Sequence, residues 1–207
     1  MNIKNTLKHL NVIIRHKWYV FIACCKAGIP WRGIVHDFSK FSPTEFLTNI
    51  KYYEEGKSPI NVAKQRDGYS IAWQHHKGRN PHHYEYWVDR LDEGGYPIPM
   101  PYKYAVEMIC DYIGAGKAYD NEHWTISTPL EYWHERILPN AKIHPMTIEF
   151  IDLIFREMSV LGLKAIRKDH TFITYNMIVN SYNYRMINKA EAENETVHTI
   201  DLFNTDD

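Results

Sequence analysis

Between residues 6 and 26 the apolar side chains Leu7, Leu10, Ile14, Trp18, Phe21, Ile22 and Cys25 recur at steps of three and four, the spacing of an α-helix with one broad buried face. A second face of the same helix carries Val12, His16, Val20 and Ala23, so the pattern predicts a helix sandwiched between neighbours. A chain that opens this way builds its core by packing helices on helices. Gly28 and Pro30 end this helix and start a short second one that carries His36 near its end.

Caps and breakers extend the helical pattern. Ser42-Pro43-Thr44-Glu45 has the capping-box spacing with proline at the first helical position, which predicts a third helix to about Glu55. Ser58 follows a turn at Gly56-Lys57 and predicts a fourth helix, through Trp73 to about Lys77, where Gly78-Arg79-Asn80-Pro81 breaks it. A short helix is expected over His82 to Leu91, then a loop over Gly94 to Pro99, then helices over 101–119, 129–137 and 145–161. Thr171 to Tyr175 fits helix or strand, and the polar, acidic stretch from about Lys189 is expected to fray. The fold class read from these signals is all-α, a helical bundle with a poorly defined C-terminal tail. Residues 1–165 form the expected domain, and 166–207 a partly flexible extension.

At 207 residues the chain suits one domain. A net charge of −1, with charges mixed along the chain, offers no basic stripe for duplex nucleic acid, so a nucleotide is the better-matched partner. Cys24, Cys25 and Cys110 lack CxxC spacing and read as reduced core residues of a cytoplasmic protein. The apolar stretch from Leu10 to Ile29 is interrupted by Arg15-His16-Lys17, which spoils it as a signal segment or membrane span, and no membrane partner is expected. A homo-oligomer stays compatible with the sequence.

The chemistry concentrates around His36-Asp37. His16 lies upstream, His75, His76, His82 and His83 fall within nine positions downstream, and Asp111 sits in the apolar run 102–111. A mixed imidazole and carboxylate set favours one or two first-row divalent ions, Mn, Fe, Co, Ni or Zn, over Ca²⁺. His75 and His76 are adjacent on a helix, about 100° apart, so one of them should ligate. His76 is favoured because it shares a face with Tyr69 and Trp73. His82 and His83 follow the break at Asn80-Pro81, where the backbone can turn both rings into one pocket.

In the order His, His-Asp, His, His-His, Asp, this constellation resembles the HD-domain superfamily of metal-dependent phosphohydrolases, over roughly residues 10 to 120. The segments HDFSKFSPTEF, HHKGRNPHHYEYW and MPYKYAVEMICDY are also similar to an uncharacterised bacterial and phage family of HD-like proteins. The resemblance implies an all-helical fold and a first metal site at His16, His36, Asp37 and Asp111. It also implies that the extra histidines, His76, His82 and His83, belong to a second site. Lys40 completes an HD-x-x-K pattern like the lysine of several HD phosphodiesterases, so Asp37 and Lys40 are the expected catalytic residues. The expected substrate is a nucleotide or other small phosphoester, attacked by a metal-activated water.

Lys77 and Arg79 are expected to hold phosphate, and Trp87, with Tyr84, Tyr86 and Trp73, to stack a base; the bland reading makes the cations solvated and the aromatics core. Glu45 and Glu107 fit acid/base or ligand-supporting roles, although Glu45 is already accounted for as a cap. Two other readings share these residues: a di-iron oxygenase of the same general fold, and a non-catalytic nucleotide-binding or interaction module in which the metal is structural.

Overall fold

The computed structural model describes residues 3–89 and 94–193 and is predominantly α-helical. Helix α1 spans Ile3–Lys26, α2 Pro30–Val35, α3 Pro43–Lys51, α4 Pro59–Asp67 and α5 Ile71–Lys77. A two-residue antiparallel pair, β1 Val88–Asp89 and β2 Tyr96–Pro97, precedes α6 Tyr102–Tyr119, α7 Thr128–Tyr132, α8 Pro145–Leu161 and α9 Lys168–Glu193. Three-residue and four-residue 3₁₀ segments fill some connections, among them Phe38–Phe41 and Tyr84–Trp87.

The core lies where α1, α6, α8 and α9 meet. Val20 and Cys24 of α1, Val106 and Ile109 of α6, Phe150 and Ile154 of α8 and Tyr175 and Val179 of α9 are all buried in one cluster. Residues 168–193 therefore pack on this core through α9, although 166–207 were expected to form a separate, partly flexible extension. Close approach of α1 and α6 depends on Gly114, because a Cβ there would come within 2.8 Å of the Val20 backbone nitrogen. That approach brings His16 on α1 beside Asp111 on α6.

The structure inverts the expected packing of α1. Its buried residues are His9, Ile13, His16, Val20, Ala23 and Cys24, whereas Leu7, Ile14, Trp18, Ile22 and Cys25 are exposed. Two apolar faces were visible in the sequence, and α6 docks on the one with small residues, where Gly114 permits contact. The predicted helix from Ser58 to Lys77 is two helices: Gly68, with φ +80°, ends α4 and the Ser70 hydroxyl caps α5 by accepting from the Trp73 N–H. Helix α3 stops at Lys51, short of the expected Glu55. Instead of a helix over His82 to Leu91, the chain forms the 3₁₀ turn and β1; Arg90 and Leu91 lie outside the described residues. Thr171 to Tyr175 are helical, with Thr171 and Tyr175 buried by packing on the core. From Lys189 the helix continues to Glu193, and the remainder of the expected frayed tail lies outside the described residues. No described helix is long and apolar enough to cross a membrane.

Candidate metal centre

Four local structures deliver the ligands. His16 projects from the buried face of α1, two helical turns past His9. Helix α2 ends at His36, and Asp37 then takes a left-handed conformation, φ 55° and ψ 26°. It is the one non-glycine residue with positive φ among the described residues. Such a conformation costs about 1 kcal/mol or more, which the surrounding packing must offset, and here it turns a fully buried carboxylate into the cluster. Helix α5 supplies His76, the turn after Pro81 supplies His82 and His83, and α6 supplies Glu107 and Asp111.

One set is His16, His36, Asp37 and Asp111. His16 Nε2 lies 3.2 Å from His36 Nε2, Asp37 Oδ2 and Asp111 Oδ1. His36 Nε2 lies 3.3 Å from the same two oxygens. These five separations, 3.2–3.3 Å, are those between neighbouring ligands that each lie ~2.0 Å from one ion, the reach of a first-row divalent ion to nitrogen or oxygen. His36 Nδ1 donates to Glu107 Oε1 at 3.0 Å, so its Nε2 presents a lone pair to the cluster. A lone pair facing carboxylate oxygens is repulsive unless a proton or a cation lies between.

The second set is Asp37, His76, His82 and His83, with ligand atoms within 4.8 Å of one another. His76 Nδ1 donates to Glu45 Oε2 at 2.8 Å, which directs its Nε2 to Asp37 Oδ1, 3.2 Å away. His82 Nε2 lies 3.4 Å from the same oxygen. Its Nδ1 is 3.2 Å from Glu107 Oε1, off the line of a hydrogen bond, so both ring nitrogens are buried without a hydrogen-bond partner. His83 Nε2 and Asp37 Oδ1 are likewise buried and unpartnered. Buried polar atoms are rarely left so. Here they converge on one point beside Asp37, which suits a cation. His75, by contrast, turns away and donates to Glu45 Oε1 at 2.6 Å.

Asp37 joins the two sets: Oδ2 faces His16 and His36, and Oδ1 faces His76 and His82. The electrostatics follow from this crowding. Burial works against ionisation of His36, but Asp37, Asp111 and Glu107 outweigh it and hold its pKa well above the ordinary value. His76 is raised in the same way, against burial, by Asp37 and Glu45. Asp37 and Asp111 stay well below the usual carboxylate range despite burial, through His36, Lys40 and His16. Burial lowers His82 and His83, aided by neighbouring imidazoles, so these two rings are neutral and present lone pairs.

A cavity of about 590 Å³ opens on this cluster, with His16, Asp37, His76, His83 and Asp111 in its wall. Lys40 also lines it and pairs with Asp37 Oδ2 at 2.6 Å. Tyr84 and Trp73 line it too. Lys77, Arg79 and Trp87 stand outside the wall. Arg79 is exposed and bonds the His75 carbonyl, Lys77 influences Glu85 only electrostatically, and Trp87 packs on Tyr104 while its indole N–H donates to the Pro81 carbonyl. These three expectations came from adjacency to the histidines, and the turn at Asn80-Pro81 sends them elsewhere.

Sequence reading missed Lys64, Glu85, Tyr112 and Tyr132, all in the cavity wall. Glu85 and Tyr112 fall inside the segments HHKGRNPHHYEYW and MPYKYAVEMICDY, but nothing in the spacing singles them out, and the four meet only through tertiary packing. It also misjudged Glu45. The Ser42 cap is real, accepting from the Glu45 N–H, but the Glu45 carboxylate serves His75 and His76.

Residues 5–157 match the model of a family of unknown function, DUF5662. The chain belongs to that family. The matched span contains every ligand of both sets and ends inside α8. No curated protein and no solved structure matches the chain, so membership in DUF5662 carries no reaction with it.

Proposed function

We propose that this DUF5662 protein is a metal-dependent phosphohydrolase acting on a nucleotide or another small phosphoester. The observation that carries this reading is Asp37, a buried carboxylate whose two oxygens face two separate histidine-rich sets. His16, His36, Asp37 and Asp111 would hold one divalent ion, and His76, His82 and His83 with Asp37 a second. Bound there, divalent ions supply Lewis acidity, polarising a phosphoryl oxygen and lowering the pKa of water. The resemblance of the His16, His36-Asp37, Asp111 order to the HD superfamily supports the same class.

The chain's own groups divide the remaining work. Lys40 sits between Asp37 and the cavity, placed to meet a phosphoryl oxygen with a fixed charge. Lys64, in the same wall, adds a second cation. Glu45 and Glu107 fix which ring nitrogen of His76 and His36 faces inward. Burial raises the pKa of Glu85 above the ordinary carboxylate value, and it lines the cavity, which suits it to donate a proton to the leaving group. A cavity of about 590 Å³ with Tyr84, Tyr112, Tyr132 and Trp124 in its wall matches a nucleotide-sized molecule.

The test is elemental analysis of protein purified without chelator, followed by a nucleotide and phosphoester screen with Mn²⁺, Co²⁺, Ni²⁺, Fe²⁺ or Zn²⁺. Bound first-row metal and phosphate release that Asp37→Ala abolishes are expected. Absence of metal, and of any gain on adding these ions, would overturn the proposal. Five imidazoles around a shared carboxylate also suit a di-iron oxygenase. Stoichiometric iron, a spectral change on anaerobic reduction and no phosphate release would assign that chemistry instead.

A further inference from the structure

The exposed stripe of α1 is a surface without a partner in the fold. By 100° per residue, Leu7, Ile14, Trp18 and Cys25 fall within about 20° of one line along the helix, opposite the buried His16 and Ala23. Leu7 is 61% exposed, Ile14 53% and Trp18 59%. The stripe continues onto neighbouring segments: Trp31 and Ile34 of α2 and Phe38 of the following 3₁₀ turn are exposed as well. Lys17 links the two parts, with its Nζ 4.4 Å over the Phe38 ring. Contiguous exposed apolar surface of this kind marks a binding face.

Charge narrows the partner. The near-zero total conceals a segregation, because no Asp or Glu precedes Asp37, while Lys4, Lys8, Arg15, Lys17, Lys26 and Arg32 do. Asp37 itself is buried in the cluster. On the helical wheel Lys4, Lys8, Arg15 and Lys26 lie about 60–100° to one side of the stripe and Lys17 about 80° to the other. Lys8 pairs with Glu55 and Arg32 with the buried Glu107; an apolar stripe with tryptophan, on a helix whose own sequence carries cations and no acids, is the pattern of one that lies in the headgroup region of a bilayer. A second copy of α1 would set cation against cation across the seam.

We infer that the outer face of α1, together with α2 and the Phe38–Phe41 turn, docks this protein on an anionic lipid surface. The cavity is built from the other face of α1, so docking leaves the cluster's own packing intact. This inference stands apart from the phosphohydrolase reading and concerns where the protein works.

The test is co-sedimentation of the full chain with phosphatidylcholine vesicles made with and without phosphatidylglycerol. Retention on the anionic vesicles is expected, weakening as salt is added and absent with phosphatidylcholine alone. Removing cations in Arg15→Gln and Lys26→Gln should weaken retention about five-fold each. Ile14→Ser combined with Trp18→Ser should abolish it while the helical circular-dichroism signal is unchanged, since both residues are exposed. No retention at low salt, equal retention on both vesicle types, or retention unaltered by the double serine variant would overturn the inference. So would a solution dimer that the double variant dissolves, with no vesicle binding, which would assign the face to a second copy.

Discussion

Replacing Glu107 by glutamine tests the centre without touching a residue of either four-residue set. Glu107 is fully buried, accepts from His36 Nδ1 at 3.0 Å, lies 3.2 Å from His82 Nδ1 and pairs with Arg32 Nε at 2.6 Å. One carboxylate therefore orients a histidine of the first set through a hydrogen bond and places its charge against a histidine of the second. Two effects compete. Across an imidazole ring, Glu107 lies about 7 Å from the point where the His36 and His16 nitrogens converge. At an effective dielectric constant of about 20 its charge would attract a divalent ion there by roughly 5 kcal/mol. Arg32, in direct contact, cancels most of that field, so orientation and tautomer control remain. Loss of such a supporting carboxylate weakens metal affinity about 10- to 100-fold, or about 1.4–2.8 kcal/mol. Glutamine keeps the volume and one acceptor, so the fold should survive. Competition against a chromophoric chelator should show the weakening in both metal equivalents. Wild-type affinity in a folded Glu107→Gln protein would refute the claim that Glu107 sets the tautomer of His36.

Other outcomes follow from the same geometry. Lys40→Ala should keep the metal and the fold while lowering turnover about 10²- to 10³-fold, the size of one lost preorganised charge contact; equal activity would return Lys40 to a purely structural pairing with Asp37. His76→Ala should reduce bound metal from about two ions to about one, because His16, His36, Asp37 and Asp111 form a complete set without it; an unchanged ion count with weakened substrate binding would move His76 to the substrate pocket. His9, packed between Phe46 and Tyr53, has its pKa lowered to about 4 by burial and by the charge of Lys40. Below about pH 6.5 the unfolded chain takes up this proton before the folded one does. Stability should therefore fall with pH between about 6.5 and 4, by up to about 1.4 kcal/mol per unit. Denaturant melts of chelator-treated wild type and His9→Leu should differ by that slope, and parallel pH profiles would contradict it.

The sequence alone determined the helical class and much of the ligand inventory. Spacing and caps located α2, α6 and α8 closely, because proline at a first turn and an apolar period of 3.6 are local signals. His16, His36, Asp37, His76, His82, His83 and Asp111 all converge as their order implied. Local signals failed where two choices were locally equal. Either apolar face of α1 could have been the buried one, and Gly114 on a helix nearly a hundred residues away decided it. Thr171 to Tyr175 suits a strand by composition, and burial of Thr171 and Tyr175 within a helix settled the matter. Lys77, Arg79 and Trp87 adjoin the histidines in sequence but stand outside the wall that His76 and His83 line, so adjacency in sequence did not become adjacency in the cavity. Only the tertiary structure aimed the two oxygens of Asp37 at different histidines, through a left-handed backbone. Distances of 3.2 Å between groups 21 and 39 residues apart depend on how helices cross, and crossing is set by packing at positions that carry no motif.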